Sequence, residues 1–333
     1  MLANALFSII RAMIVAVTLT AVGVLVAYVL QGDQMARDFL KSAAYHFDGL
    51  LVFAAGYGLL GYVRSTGRSL LSQLIQVVEL QPDDQPMLLH LERRAVAWRW
   101  TNAIALPLTA VGAVALWNCG YPLDGFARFY LALWTTSIYY VASAILAFYI
   151  FVIALFKFIE ERSESAVLQR AALSRKVQVM DSFFVISATM GVVAIYLGFR
   201  GTLTANFVYP SAVVRDLLVM PIVLYLPATL FYSLYPRHVL RHLVALDAVR
   251  MTEDLEHWML ERPPADLKDE LELRRLVMEI RERTLAERQA MPLLSLKDAP
   301  SLTISILIFI QFVLQRDSVV AGFFDGLFHR GTP

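Results

Sequence analysis

The sequence predicts an all-α integral membrane protein with six transmembrane helices, arranged as three hairpins that extend into a cytoplasmic helical region. Three observations predict it. Of 333 residues, 58% are hydrophobic and only 17% charged, where a soluble domain carries roughly 25% charged residues. Mean hydropathy is +0.58. The charges gather into a few segments, and between them lie apolar runs near the roughly 20 residues a helix needs to cross a bilayer.

The first apolar run follows Arg11 in "MLANALFSIIRAMIVAVTLTAVGVLVAYVLQ". Its uncharged stretch is longer than the apolar region of a cleavable signal, so a retained span over 12–31 is expected. The next five spans are placed at 45–63, 101–119, 127–156, 182–199 and 213–235. The second and fifth are short, and amphipathic sequence extends them.

Basic residues orient these spans. Arg64, Arg68, Arg93, Arg94 and Arg99 lie in 64–100; Lys157, Arg162, Arg170, Arg175 and Lys176 lie in 157–181. The opposite loops hold only Arg37, Lys41, Arg128, Arg200 and Arg215. Short loops rich in Arg and Lys stay on the cytoplasmic side, which puts the N-terminus, 64–100, 157–181 and the charged stretch after 236 inside. The chain thus divides into a membrane bundle with two cytoplasmic hairpins (1–236) and a third hairpin with an apolar tail (237–333).

Each excursion has its own turn signal. In the first, the amphipathic "GRSLLSQLIQVVELQ" stops at "PDDQP" (82–86), and "MLLHLERRAVAWRW" leads back to the third span. Prolines and Asp caps mark such a turn. The second has neither Gly nor Pro between Phe126 and Met190, so its turn is placed near "SES" (163–165). The third turns at "RPPAD" (262–266). Its returning helix, 267–289, carries Glu270 with Arg274 and Glu279 with Arg283 at supportive spacing. Leu273, Val277 and Ile280 form an apolar line there that needs a partner. Packing of the three excursions on one another is the expected use; a docking surface for another protein is the alternative.

The tail "LTISILIFIQFVLQRD" holds a seventh possible span at 301–314. Those 14 residues reach about 21 Å as a helix, short of a hydrocarbon core of roughly 30 Å. An interfacial, re-entrant or cytoplasmically packed helix is expected, with "VVAGFFDGLF" (319–328) as further apolar surface.

Within the spans, small residues recur at helical spacing: Ala54, Gly58 and Gly61; Ala105, Thr109 and Gly112; Ser187, Gly191, Ala194 and Gly198. They permit close helix packing, either inside one bundle or between copies of the chain in a homo-oligomer. Thr136, Tyr140 and Ser143 share one face of the fourth span, a hydroxyl stripe that either bonds neighbouring helices or lines a hydrated path. Pro221 and Pro227 in the sixth each remove a backbone donor, so a kink or broken turn is expected.

Chemistry beyond this is sparse. Cys119 is the only cysteine, which excludes an intrachain disulfide and a cysteine-rich metal site. His238 and His242 stand four apart, but the metalloprotease pattern needs Glu after the first His, and Val239 occupies that place. Arg237, His238, Arg241 and His242 are expected instead as a basic foot for anionic lipid. No nucleophile elbow or phosphate loop occurs, so no enzyme, cofactor or metal is expected. A net charge of +1 gives no footing for nucleic acid.

No Asp or Glu lies in the middle of any of the six spans, which disfavours an ion-coupled transporter. The leading expectation is therefore a channel- or pore-like subunit gated through its cytoplasmic helical extensions. A membrane anchor holding a cytoplasmic partner protein, and a transporter without buried charge, are the alternatives. Arg-rich composition and the absence of an N-glycosylation site point to a bacterial inner membrane.

Overall fold

The computed structural model describes residues 2–41, 43–76, 78–118, 125–163, 167–168, 173–204, 212–261, 267–290 and 296–314. Side chains are described for most of these, the main exceptions being 33–48, 125–131, 173–178, 201–223, 283–290 and 311–314. The expected turn at 262–266, Cys119, the later part of "SES" and the tail beyond 314 lie outside the described residues.

The described residues are almost all helical, apart from short turns and one two-residue strand pairing. The helices are α1 (Leu2–Lys41), α2 (Ala43–Tyr62), α3 (Arg68–Ile75), α4 (Gln85–Val96), α5 (Trp98–Trp117), α6 (Gly125–Glu161), α7 (Leu173–Thr204), α8 (Ala212–Glu261), α9 (Leu267–Ala290) and α10 (Ala299–Leu314). Four stretches among the described residues are long and apolar enough to cross a membrane: Leu2–Leu30, Trp98–Trp117, Ala132–Glu161 and Val179–Gly198. They contain or overlap the expected first, third, fourth and fifth spans. The expected second and sixth, 45–63 and 213–235, fall in α2 with the first residue after it and in α8, where description of the side chains is incomplete.

α1 ends its apolar run at a glycine. Gly32 has φ 80° and ψ −176°, a conformation open to glycine because it has no Cβ, and the chain changes direction there. Before it, Ala5, Ala12, Ala16 and Ala27 are buried, while Leu2, Phe7, Ile14, Leu25 and Val29 are exposed. Small residues face the protein and large apolar ones face outward. That is the pattern of a helix solvated by lipid, where outward apolar surface carries no hydrophobic penalty.

α2, α6, α7 and α8 make the centre, with α1 against α2, α5 against α6, and α10 against α7. Each small-residue stripe meets a particular neighbour. A Cβ on Gly58 would lie 3.0 Å from the Ile9 backbone of α1. On Gly112 it would come to 2.6 Å from the Tyr139 ring of α6, and on Gly191 to 3.0 Å from the Tyr149 hydroxyl and from Thr229. The close approaches the sequence foreshadowed are made within this one chain.

Three local features were not foreseen. α2 continues into α3 through a π-helical turn, Val63–Gly67, with Gly67 closed by the Phe183 ring. α4 does not run straight into α5: Ala97 is extended (φ −82°, ψ 118°) and re-aims the chain. The first two excursions are also joined by strands β1 (Val78–Glu79) and β2 (Val167–Leu168), antiparallel with Val78 opposite Leu168. Local patterning does not announce a pairing this short, since its partners are distant in sequence.

The charged ends of several helices contact one another. α3 and α4 are tied by Ser72 donating to Glu92 at 2.5 Å, and α6 ends at Glu161, just before Ser163. Arg162 meets Asp84 at 3.1 Å, and Arg250 of α8 donates to the Ser163 carbonyl at 3.2 Å. On α9, Val277 is buried and Leu273 and Ile280 half-buried, and the helix packs on α8. The Glu270–Arg274 pair forms at 2.7 Å.

Candidate functional site

The densest polar chemistry of the interior lies between α2, α6, α7 and α8. Aromatic packing builds its walls: Tyr149 stacks on Tyr232 at 3.9 Å between ring centroids, and Phe184 meets Tyr232 edge-on at 5.4 Å. Phe183 lies against Tyr62 at 5.5 Å. Tyr62, Tyr149, Tyr232, Phe183 and Phe184 are all essentially sealed from solvent.

Hydroxyls run through this aromatic cluster. Tyr225 faces Ser143, and Thr229, one turn along α8, donates to the Tyr225 carbonyl at 2.7 Å. Ser187 donates to the Phe183 carbonyl at 2.7 Å and lies 3.4 Å from the Tyr232 hydroxyl. Among the described residues, the hydroxyls of Tyr62, Thr66 and Tyr149 make no well-formed hydrogen bond, with Thr229 standing beside that of Tyr149. Tyr62 and Thr66 stand one turn apart at the π-helical turn. A buried polar group left unpaired costs about 1–3 kcal/mol, and native interiors offset that cost with ordered water or a bound polar group.

At one end of the hydroxyls sits a buried charge cluster. Arg237 of α8 is 2% exposed; it donates to Asp181 of α7 at 2.6 Å and to Asp298, just before α10, at 2.8 Å. Lys297 approaches the second oxygen of Asp181 at 4.0 Å. Arg237 lies five residues beyond Tyr232, and Asp181 six residues before Ser187. The cluster is therefore about 8 Å from the hydroxyls along either helix. Tyr235 adds a tie to α6 by donating to Glu160 at 2.6 Å.

The sequence-derived candidates divide. Thr136 is half-buried and donates to the Ala132 carbonyl at 2.7 Å, within its own helix. Tyr140 donates to Asn102 of α5 at 2.8 Å. Ser143 is buried on Tyr225 and joins the interior hydroxyls. Pro227 is exposed, and Pro221 lies in α8, which stays helical through both prolines. The carbonyls they free do not end the helix.

Of the expected basic foot, His238 and His242 are exposed and Arg241 half-buried. Arg237 is not on that surface: two carboxylates draw it inward. Sequence reasoning missed Asp181 and Asp298 because they lie 56 and 61 residues from Arg237. The signal available was a carboxylate beside each of two span ends.

The same cluster bears on the tail. Asp298 anchors the start of α10, and Ser301, Ser305 and Ile308 are buried while Ile306, Leu307, Phe309 and Ile310 are exposed. Ser305 donates to the Ser301 carbonyl at 2.7 Å, so its hydroxyl is satisfied within the helix. α10 lies along α7 by a narrow serine-lined face.

The architecture fits an all-helical membrane protein. No protein family model, no curated protein and no solved structure is significantly similar to this chain.

Proposed function

We propose that this protein is a multi-pass, channel- or pore-like membrane protein, with a hydrated path along the interior hydroxyls that its charged helical ends gate. The observation that carries the reading is the trio of buried hydroxyls on Tyr62, Thr66 and Tyr149 that make no well-formed bond among the described residues. Water or a passing polar solute satisfies them at modest cost, and the flanking Ser143, Thr229, Ser187 and Tyr232 extend the polar surface. α6 and α8 continue unbroken from the apolar region to the charged end, so movement there reaches the hydroxyls directly. In this reading six spans cross a bacterial inner membrane as three hairpins, the N-terminus is cytoplasmic, and copies of the chain associate.

Proteoliposomes holding the purified protein and an ion- or volume-sensitive dye test it. Flux that falls at least several-fold in Tyr149→Phe and Tyr62→Phe supports the path. Absence of flux under every voltage and osmotic gradient applied would overturn it. So would a Tyr149→Phe variant that is more stable with unchanged flux, since that is the behaviour of a dry, frustrated hydroxyl.

A second reading, a membrane scaffold for a cytoplasmic partner, is favoured by α9. Its Leu271, Leu276 and Met278 are exposed although the helix is otherwise highly charged. Recovery of a stoichiometric partner that is lost in Leu271→Gln with Met278→Gln separates this reading from the first.

A further inference from the structure

We propose that Arg94, Arg99 and Trp100 form a binding site for the phosphate of an anionic phospholipid headgroup. The Arg94 guanidinium lies 4.9 Å from the centre of the Trp100 ring, and that of Arg99 lies 5.6 Å from the same centre. Two full positive charges are therefore held no farther apart than those two distances combined. Ring faces attract each cation, but they do not cancel the repulsion between the two.

Among the described residues, neither arginine has a carboxylate partner. Glu92, the acid closest to Arg94 in sequence, accepts from Ser72 instead. The Nε of Arg94 is moreover buried without a hydrogen-bond partner. A guanidinium against an aromatic face keeps its in-plane N–H donors free, and their fork matches two phosphate oxygens.

The helix start adds to the case. Trp98 begins α5, Ala97 offers no side-chain cap, and no acidic residue lies in the first turn. Positive charge at a helix N-terminus opposes the helix dipole, so Arg99 is placed against its own helix unless an anion stands near. Arg64, which stacks over Trp98 at 3.9 Å, adds a flanking cation, also without a carboxylate partner among the described residues.

Location selects the source of the phosphate. α5 is one of the four helices apolar enough to cross a membrane, and Trp100 lies in its first turn. Tryptophan concentrates at the headgroup level of bilayers, where anionic lipid attracts clustered arginines. The extended residue Ala97 turns α4 away and sets Arg94 beside Trp100, which an unbroken helix over 85–117 would not do. The lipid-facing cations thus lie at the α4–α5 junction, whereas Arg237 turns inward.

Lipid-dependent quenching tests this in nanodiscs. The reporter is a chain that keeps Trp100 and carries Phe at Trp98, Trp117, Trp134 and Trp258. Brominated phosphatidylglycerol in a phosphatidylcholine matrix should quench Trp100 at about one-tenth the concentration that brominated phosphatidylcholine requires. Arg94→Gln with Arg99→Gln should erase that difference, and His238→Gln with His242→Gln should leave it intact.

Equal quenching by the two lipids would overturn the site, and this arm needs no arginine variant to fold. A preference that survives the double arginine substitution would place the anion elsewhere and overturn it too. If inorganic phosphate changes Trp100 fluorescence in pure phosphatidylcholine nanodiscs where chloride of equal ionic strength does not, and brominated phosphatidylglycerol shows no preference, the site takes the free ion and the lipid assignment falls.

Discussion

Arg237 shows what one side chain decides. Buried between Asp181 and Asp298, it joins α7, α8 and the start of α10 through two short charge-assisted bonds. Removing one member of such a set leaves uncompensated charge, at a cost of about 3–5 kcal/mol. Arg237→Met should therefore lower the thermal unfolding midpoint sharply, as read by intrinsic fluorescence in detergent. Adding Asp181→Asn and Asp298→Asn should recover most of the loss. A single variant that unfolds like the wild type would show that the cluster contributes nothing. The sequence placed Arg237 at the lipid surface because its neighbours, His238, Arg241 and His242, are polar. Nothing local distinguishes it from them; only the distant carboxylates do.

Helix packing is the next scale. Gly112 marks where α5 meets α6, and an added Cβ would press on the Tyr139 ring at 2.6 Å. Gly112→Ala should cost about 1–3 kcal/mol through this overpacking. Gly198→Ala, where no described atom lies within 4 Å of the added Cβ, should be neutral or slightly stabilising, because alanine is the better helix former. Thermal unfolding of the two variants side by side checks the contrast, and equal effects would remove the steric argument. The small-residue stripes were legible in sequence as contact faces because glycine and alanine have few other uses at such spacing. Which helix each would meet was not legible. The break at Ala97 was also hidden, since alanine favours a helix and nothing in its own segment marks a break.

For the molecule as a whole, cysteine labelling reads orientation and the course of the tail. With Cys119→Ala as background, Asp83→Cys should react with an impermeant thiol reagent only from the cytoplasmic side, and Asp33→Cys only from the opposite side. Gly331→Cys should be labelled from the cytoplasmic side, as expected if α10 packs beside α7 without crossing. Labelling of position 331 from outside would make 301–314 a seventh span. The serine-lined contact between α10 and α7 suits either outcome, because serines satisfied within their own helix are tolerated in lipid and in water alike.

By itself the sequence determined the class of structure. Apolar runs of bilayer length, segregated charge and small residues at helical spacing specify membrane helices whatever their neighbours do, since those signals act within one segment. It determined too that Leu273, Val277 and Ile280 of α9 need a partner. The tertiary structure decided which polar groups are alone and which are paired. Tyr140, read as a path-lining residue, is bonded to Asn102; Tyr62, Thr66 and Tyr149, which no pattern singled out, are the hydroxyls without a well-formed bond among the described residues. Arg237 went inward, and Arg94 and Arg99 were brought to one tryptophan. The physical reason is common to all of these: the energy of a polar group in a low-dielectric interior depends on which partners reach it. Those partners come from other helices.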